Sequence, residues 1–211
     1  DMLSAVNVPA DWVGIREVYE AQTPRMIRDG VPVENGHYAT HGIMVEVLVD
    51  GQFGYYGTPD ISKQGVEHAS GKAFKQAKTA SKYSVHSFTE KARPKSIGTY
   101  KSPFIKDVKA ISAKELNILL LEAYNHLKVS EKIVSASSLA KTIETNFHYI
   151  SSNGSDIVQE FLMLEFDLSA TAVDGSNQQT RTFGGMRGTC RQAGMEFLDQ
   201  MEILSHANKI G

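Results

Sequence analysis

Among the side chains of this sequence that could bind a metal ion, the histidines have the spacing most similar to that of metal ligands. Seven are present, and His37 and His41 have the i, i+4 spacing that places two imidazoles on one face of a helix. Asn35, Gly36 and Gly42 surround them and indicate a turn that leads into a strand instead. On a strand this spacing separates the side chains by about 13 Å, which is too far for one metal ion. We therefore predict surface or interstrand positions for both histidines.

A glycine-rich corner near the carboxyl end is the second candidate. Backbone N–H groups in such a loop, ahead of a helix, can bind an anion. The corner lacks the lysine of a phosphate-binding P-loop and does not have the spacing of a dinucleotide site. A loop that lets a strand turn into a helix also needs no ligand, so both interpretations stay open. The residues of this anion-site hypothesis are Arg181, Gly184, Gly185, Arg187, Gly188 and Arg191.

The other reactive residue types give no assembled site. The single cysteine, Cys190, excludes a disulfide framework and a cysteine-based zinc finger. Candidate serines lie in turns without a nucleophile-elbow motif. Glu165 and Asp167 share one face of a predicted strand, and we expect both to face solvent. The sequence therefore predicts no catalytic residue and no metal ligand.

The composition is that of an ordinary globular protein. The chain has 211 residues, of which 41% are hydrophobic and 22% charged, and a chain of this length can bury a core without disulfides. No apolar run approaches the roughly 20 residues of a membrane helix, and no signal peptide is visible. A single cysteine is typical of a reducing compartment. These features predict a cytoplasmic protein without a membrane partner.

Charge is unevenly distributed along the chain. The net charge is −2, but residues 63–109 carry 11 basic and 3 acidic side chains. Aromatic residues alternate with basic ones between Lys82 and Lys101, a pattern that suits stacking on a nucleic acid. The same excess could equally pair with the acidic flanks or with a partner subunit. Because the whole chain is acidic, binding of an anion or a nucleic acid is kept as the alternative function.

The first half of the sequence predicts strands and a hairpin. Residues 12–19 and a short run around Met26 predict two strands. The alternating apolar residues of 43–57 predict a hairpin, since Asp50-Gly51 at its centre tolerates the positive φ angles of a tight turn.

A helix is predicted over residues 62–82, with Ser62 as its N-cap. Its small residues recur at helical spacing and indicate close packing on a sheet. The stripe consists of Val66, Ala69, Ala73, Ala77 and Ala80.

The second half predicts a mixed lobe after a connecting segment. Ser112 and Glu115 form a capping-box pattern at the start of a helix that ends near Lys128. The elements that follow are strands over 133–147, 157–172 and 178–183 and a last helix over 190–209. The predicted domains are residues 1–85, a linker over 86–110 and residues 111–211. The fold class is α+β, with an antiparallel sheet and packed helices in each of two lobes.

The hairpin and helix together resemble the first domain of the TldD/PmbA family. Residues 45–58 read VEVLVDGQFGYYGT, which is similar to the Asp-Gly hairpin of that family. Asp60-Ile61-Ser62 is similar to its helix start. The turn over residues 149–154 and Gly184-Gly185 resemble features of its central domain. The resemblance covers about residues 10–210.

This resemblance has implications for function. The family consists of modulator-of-gyrase proteins that are also described as zinc metallopeptidases. Their chemistry is expected to use an H-E-x-x-x-H helix in a carboxyl-terminal domain, whose histidines bind zinc and whose glutamate activates water. This sequence has no such motif and stops at Gly211, where that domain would begin.

The resemblance therefore implies the non-catalytic amino-terminal and central part of such a peptidase, with no cofactor in this chain. Zinc is expected in the carboxyl-terminal domain. The implied partner is a second copy or a paralogous subunit, in a homodimer or a heterodimer. The implied substrates are peptides or unfolded segments.

Overall fold

The structure, a computed structural model, describes residues 2–185 and 188–211 of the chain. The strands are β1 (Trp12–Arg28), β2 (Val31–Asn35), β3 (Tyr38–Val49), β4 (Gln52–Thr58), β5 (Ile97–Lys101), β6 (Ile133–Ser151), β7 (Asp156–Asp174) and β8 (Asn177–Phe183). The α-helices are α1 (Lys63–Ser81), α2 (Ala113–Leu127), α3 (Glu196–Gln200) and α4 (Ile203–Ile210). Short 3-10 turns cover Met2–Ala5, Glu90–Ala92 and Val108–Ala110.

The strands belong to an eight-stranded sheet. Their hydrogen-bonded order is β4-β3-β1-β6-β7-β5, with β2 beside β1 and β8 beside β7. Pairing is antiparallel between β1 and β2, between β3 and β4 and between β7 and β8, whereas β5 runs parallel to β7. Together with the four helices of the described residues, this sheet confirms the predicted α+β class.

The chain forms two compact units that are interleaved in sequence. Unit 1 consists of residues 1–20, 39–101 and 145–160, and unit 2 of residues 21–38, 102–144 and 161–211. The predicted domains (1–85 and 111–211, with the linker 86–110) instead follow the chain in order. The difference arises because β1, β6 and β7 are 17 to 19 residues long, so that each contributes residues to both units. Alternation of apolar residues indicates a strand, but it does not show whether that strand packs into one hydrophobic core or into two.

The β3–β4 hairpin of unit 1 is confirmed, with strands slightly longer than predicted. Val49 pairs with Gln52 at its end. Asp50 and Gly51 between them have φ angles of 49° and 73°, as a two-residue hairpin turn requires.

Helix α1 is also confirmed and packs closely on this hairpin. The Ser62 side chain accepts a hydrogen bond from the Gly65 N–H at 3.2 Å, which caps the first turn. Ala73 and Ala77 are fully buried. A Cβ placed on Gly54 of β4 would lie 2.0 Å from the Ala73 carbonyl oxygen. The predicted small-residue packing therefore extends to the strand, where only glycine leaves room for the helix backbone.

Unit 2 has a core of larger side chains. The capping box of α2 is present, since Ser112 accepts from the Glu115 N–H and Glu115 accepts from the Ser112 N–H. Strands and helices of this unit then bury branched, aromatic and sulfur-containing residues together. The largest contributions come from Leu116, Leu120, Leu127, Leu164, Phe166, Leu168, Met195 and Leu198.

Three sequence predictions about individual elements were wrong. The two strands predicted near the start are one strand, β1. The single last helix is two short ones, because Glu202 adopts a left-handed conformation with φ 45° and interrupts it. Glu165 is buried rather than solvent-facing, and Phe166 on the opposite face of β7 is buried as well. A strand covered on both faces does not divide its residues into core and solvent sets.

Candidate functional site

The described part of the predicted anion corner makes hydrogen bonds within itself and to β7. Gly184 and Gly185 have φ angles of 80° and 63°, and the Gly188 N–H donates to the Gly185 carbonyl at 3.4 Å. A Cβ on Gly184 would lie 2.1 Å from Cγ2 of Thr189. These contacts explain the glycines by turn geometry and close packing.

The arginines of the corner are placed differently from one another. Arg191 donates from Nη1 to the carbonyl oxygens of Gly188 at 3.1 Å and Cys190 at 2.8 Å. Arg181 is exposed on β8, opposite Ala170. Arg187 lies outside the described residues. The helix that was expected to follow the glycines begins only at Glu196, so anion binding here stays a prediction.

The two histidines considered for a metal make separate contacts. In unit 2, Nδ1 of His37 lies 3.0 Å from Oγ1 of Thr23. In unit 1, Nε2 of His41 lies 2.8 Å from Oε1 of Glu17. Across residues 2–185 and 188–211, no three His, Cys, Asp or Glu side chains are arranged to hold a metal ion. The family resemblance implies zinc only in a carboxyl-terminal domain, so zinc chemistry is not assigned to these side chains.

Ion pairs account for part of the basic segment 63–109. Within unit 1, Lys78 pairs with Asp50, Arg93 with Glu46 and Lys101 with Glu160, and within unit 2 Lys106 pairs with Asp199. All four carboxylates come from the acidic flanks of the segment. Of the two interpretations of its charge, pairing with the flanks is therefore observed for these four side chains.

The segment that was predicted to be a linker instead contains a strand at the edge of the sheet. All five residues of β5, Ile97–Lys101, are exposed, and β5 is the last strand of the hydrogen-bonded order. A strand in this position presents backbone N–H and C=O groups to a further extended chain. The opposite edge of unit 1, β4, is partly covered, because the Tyr55 N–H donates to Oε1 of Gln76 on α1 at 2.6 Å.

An ion pair between Arg93 and a buried carboxylate holds the approach to β5 against the sheet. Arg93 donates from Nε at 3.1 Å and from Nη2 at 2.6 Å to Oε1 of Glu46 on β3, and Glu46 is only 7% exposed. The Arg93 guanidinium also lies 4.6 Å from the centre of the Phe53 ring. Two charge-assisted hydrogen bonds together with a cation–π contact form a rigid attachment. We name Glu46, Phe53 and Arg93 the arginine clamp.

Hydrogen bonds to the backbone of Arg93 and Ser96 continue this attachment up to the strand. Asn153 donates from Nδ2 to the Arg93 carbonyl at 2.8 Å, and the Ser96 N–H donates to Oγ of Ser155 at 3.1 Å. The Asp156 N–H donates to the Ser96 carbonyl at 3.0 Å. The first residue of β5 is thus fixed next to the first residue of β7.

Electrostatics around the arginine clamp follow from burial and from the Glu46 charge. Burial raises the pKa of the Tyr55 hydroxyl, and its hydrogen bond with Glu46 raises it further. Burial and the Glu46 charge likewise raise the pKa of Tyr149. The hydrogen bond to Glu46 raises the pKa of Arg93. Both tyrosines are therefore neutral near pH 7 and offer no nucleophilic phenolate.

Sequence reasoning missed the arginine clamp although one signal was present. Glu46 interrupts the apolar residues of β3, where Met44 and Leu48 share its face. A carboxylate between apolar residues on a strand calls for a cationic partner. That partner, Arg93, is 47 residues away, and nothing in the local pattern identifies it.

A family comparison identifies the domain to which this hairpin and helix belong. Residues 13–80 match the PmbA/TldA metallopeptidase domain 1. Residues 13–80 therefore belong to the PmbA/TldA family. The match spans β1 to α1 and confirms the resemblance that the hairpin and helix start suggested.

Solved structures similar to the chain extend the fold likeness beyond this PmbA/TldA domain. A proposed modulator of DNA gyrase from Thermotoga maritima aligns with a TM-score of 0.67 and 15% identity, over 94% of this chain and 43% of that one. TldE from Thermococcus kodakarensis aligns with a TM-score of 0.63 and 15% identity, over 99% and 45%. A proposed DNA gyrase modulator from Bacteroides thetaiotaomicron gives 0.57 and 16%, over 86% and 41%. At these identities the likeness shows the fold.

The chain thus spans less than half the length of these solved structures. No curated protein sequence matches it significantly. Within the described residues, none of the helices combines the length and apolar character needed to cross a bilayer.

Proposed function

We propose that this chain is the non-catalytic amino-terminal part of a TldD/PmbA-like zinc metallopeptidase. In this proposal it contributes the dimer scaffold and lines the chamber through which peptides or unfolded segments reach the site of hydrolysis. Zinc is held by a further domain. The partner is a second copy or a paralogous subunit, and the assembly is cytoplasmic.

The match of residues 13–80 to a metallopeptidase domain is the observation that carries this proposal. It names a reaction class, while the described residues offer no set of side chains arranged for a metal ion. The family's fold, together with described residues that form no metal site, favours a supporting role over a catalytic one in this proposal.

The edge strand β5 gives this role a physical basis. An extended peptide can add to the edge of a sheet through backbone hydrogen bonds, which are independent of its sequence. Because β5 is exposed along its length and fixed at its start by the arginine clamp, it is a preformed template for such a segment. A chamber built in this way admits extended chains and excludes folded ones.

Measurements of metal content and of hydrolysis test the proposal that this chain is non-catalytic. After dialysis against metal-free buffer, we expect zinc well below one equivalent per chain. We also expect no cleavage of a fluorescein-labelled unfolded protein when zinc is added back. Stoichiometric, tightly held zinc or zinc-dependent cleavage by this chain would contradict the proposal.

Binding of an uncharged peptide tests the template. A peptide of alternating valine and threonine is titrated into the isotope-labelled chain, and backbone amide signals are followed by NMR. We expect shifts along β5 but not along β4, where Gln76 already accepts the Tyr55 N–H. Methylating alternate peptide nitrogens should weaken binding by about tenfold or more, since it removes the hydrogen-bond donors. Equal binding of the methylated peptide would exclude strand addition.

The alternative, an anion or nucleic-acid binding module using residues 63–109, is supported less well. Four of its basic side chains pair with carboxylates of this chain. Strong, salt-dependent binding of an oligonucleotide would nevertheless favour it over the peptidase scaffold.

A further inference from the structure

A hollow in unit 1 has a chemistry that the proposed function does not use. Its volume is about 360 Å³, and it is lined by side chains of β1, β3, β6 and β7. This size lies within the range of small-ligand sites, about 300–1,000 Å³. Six of its lining side chains carry the argument: Glu17, Tyr19, His41, Phe147, His148 and Glu160.

Hydrogen bonds fix the polar side chains of this hollow in place. Nε2 of His41 lies 2.8 Å from Oε1 of Glu17, and Nε2 of His148 lies 3.0 Å from Oδ1 of Asp156. Nζ of Lys101 lies 2.8 Å from Oε2 of Glu160. Each lining carboxylate still has a second oxygen that these contacts do not use, and a carboxylate has about four lone-pair positions for acceptance.

The charge of the hollow favours a cation. Three carboxylates (Glu17, Asp156 and Glu160) and one ammonium (Lys101) line the hollow or contact a side chain that does. With both histidines neutral these groups sum to −2.

The walls of the hollow are aromatic. Tyr19 meets the His41 ring edge to face, with 5.8 Å between ring centres, and it is 36% exposed. Phe147 adds a second ring. Exposed aromatic surface in a concave, negatively charged place is suited to a flat cation, since a guanidinium can stack on a ring while it donates to a carboxylate.

We propose that this hollow binds the guanidinium group of an arginine side chain presented by a peptide or an unfolded protein segment. Glu17 and Glu160 accept its N–H groups, and Tyr19 and Phe147 stack against its plane. The site needs no peptidase activity, so the proposal holds or fails independently of the proposed function.

A titration with neutral and charged isosteres tests this site. The peptide acetyl-Gly-Arg-Gly-amide is added to the isotope-labelled chain, and its citrulline counterpart serves as the uncharged analogue. We expect the arginine peptide to shift the signals of residues that line the hollow and to bind about tenfold more tightly than the citrulline peptide. A lysine peptide should bind more weakly than the arginine peptide, because an ammonium lacks the planar fork.

Variants separate the hollow from general surface charge. The double substitution Glu17→Gln with Glu160→Gln should weaken binding about tenfold, and Tyr19→Leu should weaken it while leaving the net charge unchanged. Glu67→Gln, on the exposed face of α1, should leave it unaltered and serves as the matched control. Equal affinity for arginine and citrulline, equal affinity for lysine, or an equal loss in the Glu67 variant would overturn the proposal. No shift at about 10 mM peptide would overturn it as well.

Discussion

The two units of this protein fill their cores in different ways. Unit 1 packs the alanines of α1 against valines and isoleucines of β1 and β3, with glycine where backbones meet. Unit 2 packs leucine, phenylalanine and methionine side chains between strands and helices. The first core depends on how closely two backbones approach, and the second depends on how much side-chain volume fills the space. We therefore expect enlargement to damage unit 1 and truncation to damage unit 2.

Removing side-chain volume from the core of unit 2 should give the largest loss in the free energy of unfolding. Phe166 on β7 is fully buried, and Phe166→Ala should lower the free energy of unfolding by about 3–5 kcal/mol, since it removes apolar contacts and leaves a cavity. Urea unfolding followed by circular dichroism measures this. Tyr83→Ala is the control, because Tyr83 is 82% exposed and its loss should cost less than about 0.5 kcal/mol. Similar losses for both variants would contradict the buried position of Phe166.

Adding one methyl group to the core of unit 1 should give the second-largest loss in the free energy of unfolding. Gly54→Ala would bring Cβ to 2.0 Å from the Ala73 carbonyl oxygen and 2.8 Å from the Ala77 nitrogen, so α1 must shift. We expect a loss of about 1–3 kcal/mol in unfolding free energy. Gly98→Ala on β5 is a matched control at the other edge of the sheet, because nothing lies within 4 Å of its added Cβ. The comparison of the two cores fails if both substitutions have the same effect.

A pH-dependent effect in unit 2 should be the smallest. Burial acts to raise the pKa of Glu196, but the Lys106 and Gly194 N–H groups donate to its carboxylate and lower its pKa to about 2. Because this pKa is lower than in the unfolded chain, the stabilisation is present above about pH 4.3 and disappears as the pH falls towards 2. Glu196→Gln should lower the unfolding free energy at pH 7 by about 0.5–1 kcal/mol, because solvent screening reduces the contribution of its charge.

The difference between this variant and the wild type should narrow between about pH 4.3 and pH 2, measured by thermal unfolding at each pH. Glu122→Gln, an exposed position on α2, is the control and should show no such trend. A constant difference across this range would mean that the hydrogen bonds to Glu196 do not depend on its charge.

Local sequence patterns predicted the elements that are determined by neighbouring residues. The β3–β4 hairpin follows from Asp50-Gly51 between alternating apolar residues, and α1 follows from its cap and its alanine spacing. The capping box of α2 was also predictable, because its two partners are three residues apart. The excess of basic side chains over residues 63–109 could also be counted from the sequence, although the sequence did not show which carboxylates pair with them.

Only the tertiary structure decided which residues that are far apart in the chain contact one another. The pairing of Glu46 with Arg93 joins residues 47 positions apart, and β5 adds in parallel to the later strand β7. The hollow around His41 and His148 collects side chains from four strands between Glu17 and Glu160. Periodicity also gave no lengths for β1, β6 and β7, so it could not show that each contributes to both compact units. Local free-energy preferences act over a few residues, whereas these features depend on which distant surfaces are buried together.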